Sequence, residues 1–335
     1  MKIVCMLGEG AWGTAIATLL AHNGFTVKLW CHDAGVAKTI EQKRVNQRYL
    51  PGITLHKNIV PVTTVQDALH EAELIFEAIP VQYLRSIVEQ CKPFCKQTTP
   101  WIVLSKGIEQ NTLLFPTALI DDILGYCPQK AILAGPSFAK NVAEKTITAV
   151  TLAVEDCDFG VSLQKQLANE YFRPYISRDL IGVQLGAALK NVIALATGML
   201  DGAGYTDNAQ AFILTRGFHE MVEIATALGA RKETLYGLSG LGDVVLTSMG
   251  GLSKNREVGK RLGAGQTLPQ ILKETGFIPE GINTVEALHQ WQKKLSLELP
   301  VFEGIYAVVH GRASIGTVLQ ELMARPLEQE CATDS

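Results

Sequence analysis

The feature that most constrains this chain is a glycine-rich turn near its beginning. Gly8, Gly10 and Gly13 form a Gly-x-Gly-x-x-Gly pattern that follows an apolar run over residues 2–7 and opens a predicted helix over residues 12–21. Gly8 permits a tight turn, Gly10 lets the backbone approach a pyrophosphate, and Gly13 allows the helix to pack closely on the strand. The helix N-terminus adds free N–H donors. In this strand-turn-helix context, the pattern predicts a dinucleotide-binding βαβ unit.

The residues after the second predicted strand bear on the choice of dinucleotide. Asp33 follows Gly13 by about 20 residues, where an acid that accepts from the adenosine ribose hydroxyls is expected and would favour NAD. Its neighbour His32, and also Arg44 or Arg48, could instead accommodate the 2′-phosphate of NADP. The sequence therefore leaves NAD and NADP both open.

Strand-like and helical segments alternate through the first half of the chain, and only helical periodicity follows residue 179. The predicted strands cover residues 2–7, 26–30, 74–79, 101–104, 131–133, 147–153 and 171–176. The later predicted helices cover residues 180–200, 209–228, 256–262, 280–294 and 301–310. We therefore predict an α/β fold. Residues 1–178 are expected to form an N-terminal NAD(P)-binding Rossmann domain with a doubly wound, mostly parallel sheet, and residues 179–335 an all-α substrate-binding and catalytic domain.

Composition excludes several classes of function. The net charge of -3 and the pI of about 6.2 give no overall basic field, so nucleic acid is not the expected partner. The longest apolar stretch, residues 192–200, is too short to span a membrane and is predicted to belong to a buried helix. Seven cysteines without a secretory signal predict reduced thiols and a cytoplasmic location. The close pair Cys91 and Cys95 lacks a second pair at metal-ligand spacing, so no metal site is predicted.

A lysine within an apolar helix is the leading candidate for chemistry. Gly182, Gly186 and Lys190 are spaced at i, i+4 and i+8, close to one helix face, where small residues let another surface or a cofactor approach. A lysine in this setting is costly unless it is paired or used. Desolvation or a second cation would lower its pKa and suit it to exchange a proton with a substrate hydroxyl during hydride transfer. The alternative is a lysine whose ammonium group reaches solvent.

Further candidates lie at predicted turns. Lys106 and Ser137 each follow a strand, and ligands collect at the carboxyl ends of strands in an open α/β sheet. Residues 240–243 form another glycine-rich turn. The predicted loop over residues 253–256 combines hydroxyl, ammonium, amide and guanidinium donors, as a phosphate site requires. A basic helix start on the surface is the alternative interpretation of that loop.

Taken together, these motifs resemble those of the bacterial-type NAD(P)-dependent glycerol-3-phosphate dehydrogenases, and the resemblance runs from Lys2 to about Leu319. The matching motifs are Gly8-x-Gly10-x-Trp12-Gly13-Thr14-Ala15, Asn46-x-x-Tyr49-Leu50-Pro51-Gly52, Lys106-Gly107, Gly135-Pro136-Ser137-Phe138-Ala139, Gly186-x-x-x-Lys190-Asn191, Gly240-Leu241-Gly242-Asp243 and Ser253-Lys254-Asn255. Several motifs in the family's order make the resemblance specific.

The resemblance implies a reaction and roles for three residues. The family interconverts sn-glycerol 3-phosphate and dihydroxyacetone phosphate reversibly, with NAD or NADP, at the start of phospholipid synthesis. Lys190 would exchange the proton at the C2 oxygen, and Lys106 would polarise or hold that oxygen. Asp243 would orient Lys190 or accept from a substrate hydroxyl.

The resemblance also implies two binding sets. The substrate set is Lys106, Gly135, Ser137, Lys190, Asp243, Ser253, Lys254 and Asn255. The cofactor set is Gly8, Gly10, Ala11, Trp12, Gly13, His32, Asp33, Lys106, Ala139, Lys254, Ile278 and Glu280. No metal is required, and the helical second domain offers surface for a homodimer.

Three positions depart from the family's pattern. Lys254 replaces the usual arginine and cannot make a bidentate fork to phosphate, and Arg256 is the neighbour that could compensate. Glu9 occupies a turn position that is usually small and neutral, so its side chain must point away from the pyrophosphate. Glu77 interrupts a predicted strand, either as a buried acid with a partner or as the polar end of an edge.

Two alternative functions remain open from the sequence. A two-domain reductase of the β-hydroxyacid or ketopantoate type would share the nucleotide domain and the lysine on a helix, but would bind a carboxylate and lack the Ser253-Lys254-Asn255 loop. A non-catalytic sensor of NAD(P) would bind the cofactor without turnover.

Overall fold

The structure, a computed structural model, describes residues 2–276 and 279–327. Within these ranges, strands occur only up to residue 177. The strands are β1 Ile3–Leu7, β2 Thr26–Trp30, β3 Val45–Asn46, β4 Leu50–Thr54, β5 Ile59–Val62, β6 Leu74–Glu77, β7 Trp101–Val103, β8 Lys130–Ala134, β9 Thr148–Val154 and β10 Phe172–Ser177.

Helices connect these strands and form the rest of the described chain. Those among the strands are α1 Ala11–His22, α2 Ala34–Lys43, α3 Val65–Leu69, α4 Val81–Cys91, α5 Pro116–Leu124, α6 Ala139–Ala143 and α7 Cys157–Leu167, with a 3₁₀ turn at Lys92–Phe94. Those after the strands are α8 Leu180–Gly202, α9 Asp207–Ala227, α10 Lys232–Leu235, α11 Asp243–Met249, α12 Lys254–Gly263, α13 Leu268–Thr275, α14 Glu280–Leu295, α15 Pro300–Val309 and α16 Ile315–Met323, with a π-helical turn at Leu238–Gly242.

The main sheet has the order β10-β9-β8-β7-β6-β1-β2-β5, and β3 and β4 form a separate antiparallel ribbon. All neighbours in the main sheet are parallel except β8 and β9. The predicted Rossmann-type, mostly parallel sheet followed by a helical region is therefore confirmed. The chain order reverses between β1 and β6, and this reversal opens a crevice at the carboxyl ends of these strands, where nucleotides bind in such folds.

The sheet is buried on both faces, as parallel sheets generally are. Side chains along β1 alternate between the faces because successive residues of a strand point in opposite directions. Val4 and Met6 belong to the apolar cluster that contains α1, whereas Cys5 and Leu7 belong to the cluster that contains α4 and α5. The uninterrupted apolar sequence of β1 thus contributes side chains to two separate cores, one on each face of the sheet.

Each edge strand of the sheet carries a proline that faces outward. On β5, the carbonyls of Asn58 and Val62 accept hydrogen bonds from β2, so Pro61 between them faces away from the sheet. On β10, the Pro174 carbonyl accepts from Gln164 of α7, on the side away from β9. Neither edge therefore offers a backbone N–H at its proline.

Helix α8 is the central element of the helical region. Its later residues contribute to the large helical core, while Val183 and Ala187 near its start pack in the core beneath the sheet. By length and composition α8 could cross a membrane, but 89% of its most apolar stretch is buried inside the protein. The predicted buried helix is confirmed at this position.

Helices α8 and α12 pack with their backbones in contact. A Cβ atom added at Gly198 would lie 2.1 Å from the Arg256 carbonyl oxygen, and one added at Gly259 would lie 2.0 Å from the Leu195 carbonyl oxygen. Real Cβ atoms do not approach this closely, so only glycine permits the observed separation. This packing fixes where the first turn of α12 lies relative to Lys190 on α8.

Candidate active site

A cleft at the carboxyl ends of the central strands brings the two halves of the chain together. Residues from α1, the β6 and β7 ends, and helices α6, α8, α11, α12 and α14 line it. They are Trp12, Ala78, Ile79, Pro80, Leu104, Ser105, Lys106, Ser137, Phe138, Ala139, Lys190, Asn191, Asp243, Thr247, Leu252, Ser253, Lys254, Asn255 and Glu280. Ten of the residues predicted from the sequence lie in this one cleft: Trp12, Lys106, Ser137, Ala139, Lys190, Asp243, Ser253, Lys254, Asn255 and Glu280.

Two lysines flank one buried carboxylate at the centre of the cleft. Lys190 Nζ lies 2.5 Å from Asp243 Oδ1, and Lys106 Nζ lies 3.6 Å from Asp243 Oδ2. The side chains of Lys190 and Asp243 are 7% and 1% exposed, whereas that of Lys106 is 16% exposed. The alternative of a lysine that reaches solvent is therefore wrong for Lys190. Its charge is held inside the protein by Asp243.

The two lysines differ in how readily they lose a proton. Burial lowers the pKa of Lys190 below its ordinary value and Lys106 lowers it further, although Asp243 acts in the opposite direction. Burial also acts to lower the pKa of Lys106, but Asp243, the contact with Lys190 and the charge of Glu280 together raise it. Lys190 is therefore the lysine suited to exchange a proton, while Lys106 stays a cation.

Small residues in α8 and the following turn place Asp243 beside Lys190. A Cβ atom at Gly186 would lie 2.4 Å from the Ser239 carbonyl oxygen, so the π-helical turn Leu238–Gly242 packs directly on α8. Asp243 then begins α11, whereas the sequence had suggested a turn at this position. Gly186 thus makes room for this π-helical turn, which is the neighbouring surface that the small residues of α8 were expected to accommodate.

The predicted phosphate loop is instead the first turn of a helix. Ser253 is the N-cap of α12, and its Oγ accepts from Arg256 N at 3.2 Å. Lys254 and Asn255 follow in the first turn, and Asn255 Oδ1 accepts from Gly281 N at 2.9 Å. The loop prediction is wrong because a polar N-cap cluster and a polar loop have the same residue types.

Arg256 does not compensate for Lys254 at the cleft. Its Nη2 lies 3.0 Å from Asp201 Oδ2, and Arg256 is not among the cleft-lining residues. The cation at the start of α12 that lines the cleft is Lys254. Any phosphate held there meets an ammonium group and no guanidinium fork.

The glycine turn fits a dinucleotide. Gly8 has a φ of +108°, and a Cβ atom added at Gly10 would have nothing within 4 Å, so space is open above the start of α1. Gly10 gives α1 no side-chain cap, which leaves N–H groups of its first turn for an anion. Trp12 Nε1 faces no hydrogen-bond partner within the described ranges, although it is buried at the cleft. Ala11 begins α1, and Gly13 packs against the Gly8 carbonyl.

The tip of β2 holds the residues expected near the adenosine. Asp33 is the N-cap of α2, where it accepts from Gly35 N and Val36 N, and its Oδ2 lies 2.5 Å from Arg48 Nη1. Arg44 is directed elsewhere, because its guanidinium donates to the carbonyls of Leu55, His56 and Ile59. Arg44 is therefore not the cation for a 2′-phosphate that the sequence left open.

Both unusual glutamates are buried with partners. The Glu9 carboxylate accepts from His32 N and Asp33 N, so it points to β2 and away from the start of α1, as predicted. Glu77 is completely buried at the end of β6 and accepts from Ser105 Oγ at 2.6 Å and from Ile79 N at 3.2 Å. Burial raises the pKa of Glu77 to about 8. The interpretation of Glu77 as the polar end of an edge is wrong.

Other predicted residues surround the cleft. Gly135 has a φ of +148°, and its carbonyl accepts from Ser137 Oγ at 2.9 Å. Glu280 begins α14 and accepts from Asn191 Nδ2 at 3.2 Å, and burial raises its pKa. Ile278, a predicted cofactor contact, lies outside the described residues.

Sequence reasoning missed Thr247. Its Oγ1 donates to Asp243 Oδ1 at 3.2 Å, and the side chain lines the cleft. The two residues are four apart on one face of α11. A prediction of α11 would have found Thr247 from this spacing, but the flanking glycines suggested a turn.

Comparison with known proteins identifies the family. The models for the N-terminus and the C-terminus of NAD-dependent glycerol-3-phosphate dehydrogenase match residues 3–160 and 179–320. Glycerol-3-phosphate dehydrogenases [NAD(P)+] from Nitratidesulfovibrio vulgaris and Myxococcus xanthus are each 41% identical to this chain, over 98% of it and over 100% and 98% of their own lengths. The crystal structure of glycerol-3-phosphate dehydrogenase from Coxiella burnetii superposes with a TM-score of 0.92 at 31% identity, covering 97% of this chain and 99% of the other. The chain therefore belongs to the NAD-dependent glycerol-3-phosphate dehydrogenase family.

Proposed function

We propose that this chain is an NAD(P)-dependent dehydrogenase that interconverts sn-glycerol 3-phosphate and dihydroxyacetone phosphate. The observation that carries the proposal is the buried cluster of Lys190, Asp243 and Lys106 in the cleft at the carboxyl ends of the central strands. A hydride transfer to a ketone needs one proton for the oxygen and a cation to hold that oxygen. The two lysines supply these two functions separately.

When bound, a reduced nicotinamide would supply the hydride that C2 of dihydroxyacetone phosphate accepts in the direction of reduction. Lys190 gives its proton to the C2 oxygen, so the ketone becomes the hydroxyl of sn-glycerol 3-phosphate. In oxidation, neutral Lys190 takes that proton back. Asp243 holds Lys190 in position, and Lys106 stabilises the negative charge that develops on the C2 oxygen.

The substrate phosphate would lie at the start of α12. The N-terminus of a helix attracts anions, and Ser253, Lys254 and Asn255 line the cleft there. Ser137 also lines the cleft, and Gly135 lies two residues before it in the same loop. We assign the phosphate to these residues and the three-carbon end to the two lysines.

The cofactor would run from the tip of β2 to the lysine cluster. The assignment comprises Gly8, Gly10, Ala11, Trp12, Gly13, His32, Asp33, Lys106, Ala139, Lys254, Ile278 and Glu280. It makes residues 1–178 the nucleotide-binding domain and residues 179–335 the domain that holds substrate and performs the chemistry.

The setting in the cell follows the same proposal. The six cysteines within the described residues, namely Cys5, Cys31, Cys91, Cys95, Cys127 and Cys157, are free thiols. Free thiols suit a reducing compartment, which supports a cytoplasmic location. There the enzyme would supply glycerol 3-phosphate for glycerophospholipid synthesis, as a homodimer formed through its helical region.

The test is the oxidation of NADH and NADPH by the purified protein with dihydroxyacetone phosphate. We expect turnover with at least one cofactor, and a kcat/KM for unphosphorylated dihydroxyacetone that is lower by about 10³-fold or more, because the phosphate site would be empty. Activity only with a 2-oxo acid would indicate the ketopantoate or β-hydroxyacid type of reductase. Tight cofactor binding without turnover of any of these ketones would indicate a sensor.

A further inference from the structure

Two carboxylates lie together at the tip of β2, where the adenosine ribose binds in this kind of fold. One belongs to Asp33 and was expected from the sequence. The other belongs to Glu9, which comes from the glycine turn and reaches across to β2. Its Oε2 accepts from His32 N at 3.2 Å and its Oε1 from Asp33 N at 3.1 Å.

Glu9 is fixed in this position from both ends. Its backbone carbonyl accepts from Asn46 Nδ2 at 2.7 Å and from Thr14 Oγ1 at 2.9 Å, while its carboxylate is held by β2. The residue is 7% exposed. The negative charge therefore stays at the tip of β2 without any rearrangement of the chain.

The two carboxylates also occupy the backbone donors at this tip. His32 N and Asp33 N donate to Glu9, and Gly35 N and Val36 N donate to Asp33. A 2′-phosphate needs such donors because it is recognised by N–H groups and cations. Here those four N–H groups are already used.

The nearby arginines do not restore a phosphate site. Arg48 is paired with the carboxylate of Asp33. Arg44 donates to backbone carbonyls between β4 and β5. A 2′-phosphate, which carries a charge of about −1.5 to −2 at neutral pH, would meet two carboxylates whose charges are only partly offset. A ribose 2′-hydroxyl instead has a proton to donate to either of them.

We propose that Glu9 is a specificity-determining residue that rejects the 2′-phosphate of NADP, so that NAD(H) is the cofactor of this enzyme. The proposal rests on the proposed function only in requiring that a nicotinamide dinucleotide binds in the crevice. It assigns the discrimination to the second position of the glycine turn, with Asp33 as the acceptor for the ribose hydroxyls.

The experiment measures binding and does not depend on turnover. Dissociation constants for NADH and NADPH are determined by titration calorimetry for the wild type, Glu9→Ala, Glu9→Gln and the control Glu41→Ala. Glu41 is an exposed acid on α2, so its replacement changes the net charge equally without freeing the β2 donors. The adenosine ends alone, 5′-ADP and 2′,5′-ADP, are titrated in parallel.

We expect wild type and Glu41→Ala to bind NADH at least about tenfold more tightly than NADPH. Glu9→Ala should reduce that ratio by about tenfold or more by strengthening NADPH binding, with NADH binding altered by less than about threefold. Glu9→Gln removes the charge while keeping the size of the side chain, and should move the ratio in the same direction. The ratio of the dissociation constants for 5′-ADP and 2′,5′-ADP should change in the same way across these variants.

Two results would overturn the proposal. One is a wild type that binds NADPH as tightly as NADH, and the other is an unchanged ratio in both Glu9 variants. If Glu9→Ala fails to fold, the Glu9→Gln result decides. If dihydroxyacetone phosphate is not a substrate but the binding ratios behave as stated, the proposed reaction is wrong while the role of Glu9 stands.

Discussion

Asp243 contacts both lysines of the cleft, but only Lys190 carries a pKa suited to proton exchange. Replacing Lys190 by alanine removes the proposed proton donor and leaves the glycine turn intact. We expect kcat to fall by about 10²- to 10⁴-fold while the NADH dissociation constant changes less than about threefold. Steady-state kinetics and NADH titration test this, with Lys165→Ala on the exposed face of α7 as the control. Substantial turnover by Lys190→Ala would remove it from the chemistry.

The pH profile tests the same group without removing it. In the proposed mechanism, reduction requires protonated Lys190 and oxidation requires the neutral form. As pH rises, kcat/KM for reduction should therefore fall, and that for oxidation rise, well below pH 10.5, the ordinary pKa of lysine. Asp243 acts to raise the pKa of Lys190. The Asp243→Asn variant should therefore move both limbs to lower pH, and an upward shift would contradict the assignment.

Glu77 predicts a pH dependence of stability. Its pKa is raised by burial from 4.5 to about 8, so the folded protein holds this proton more tightly than the unfolded chain. Protonated Glu77 therefore makes its full contribution to the free energy of unfolding below pH 4.5. This contribution is lost as pH rises toward 8, at up to about 1.4 kcal/mol per pH unit. Thermal unfolding of Glu77→Gln between pH 5 and 8 should show a smaller decline than the wild type.

Glu220 provides the matched comparison for Glu77. It lies on α9 and is buried against the start of α15, where its carboxylate accepts from Val301 N and Phe302 N, and burial raises its pKa to about 8 as well. Glu220→Gln should flatten the pH dependence by a similar amount, and the double variant more than either. A Glu77→Gln protein with the full wild-type slope would show that Glu77 is ionised throughout this range.

At the scale of elements, the contact between α8 and α12 sets the position of the start of α12, where we propose that the substrate phosphate binds. A Cβ atom at position 259 would lie 2.0 Å from a backbone oxygen of α8, which cannot move aside alone. Gly259→Ala should therefore lower the free energy of unfolding by about 1–3 kcal/mol and raise KM for dihydroxyacetone phosphate, because α12 carries Ser253 to Asn255. Denaturant unfolding and kinetics measure both effects.

Gly217 on α9 is the control for this substitution. It is also a helical glycine, but its Cβ would lie 3.5 Å or more from its neighbours. Gly217→Ala should be neutral or stabilising by up to about 1 kcal/mol, since alanine favours helix over glycine. Equal destabilisation by both substitutions would show that helix contact is not the cause.

The elements themselves were predictable where the local pattern was strong. Strand β2 matches its predicted bounds, and α8 begins at its predicted residue. Strand β5 was missed because it is short and contains Pro61, and α11 was missed because glycines precede Asp243. Local propensity cannot show that Gly240 and Gly242 sit in a π-helical turn packed on another helix.

The chemistry of the site was easier to predict than its connections. Lys190 stood out because a lysine in an apolar helix is costly unless it is paired or used, and Lys106 because it follows a strand. The role of Asp243 came from the family resemblance. The hydrogen bonds from His32 N and Asp33 N to Glu9 depend on how the glycine turn and the end of β2 meet in the fold, which residue spacing does not specify. The partners of Glu77 were unpredictable for the same reason, since Ser105 belongs to the next strand's end.

On the scale of the whole molecule, α8 contributes to one of the cores beneath the sheet and also to the core of the helical region. Val183 and Ala187 pack beneath the sheet, while the rest of the helix forms the centre of the helical region. The two regions should therefore unfold together in one calorimetric transition. NADH at 100 times its dissociation constant should stabilise that single transition by about 2.7 kcal/mol. Two separate transitions, with only the first responding to NADH, would show independent domains.

The outward prolines of β5 and β10 also matter beyond one copy of the chain. An open sheet can grow by pairing its edge with a strand from another molecule, which is a route to aggregation. Pro61 and Pro174 each remove the N–H group that a visiting strand would need at that point. A strand from a second copy therefore cannot pair without interruption along either edge.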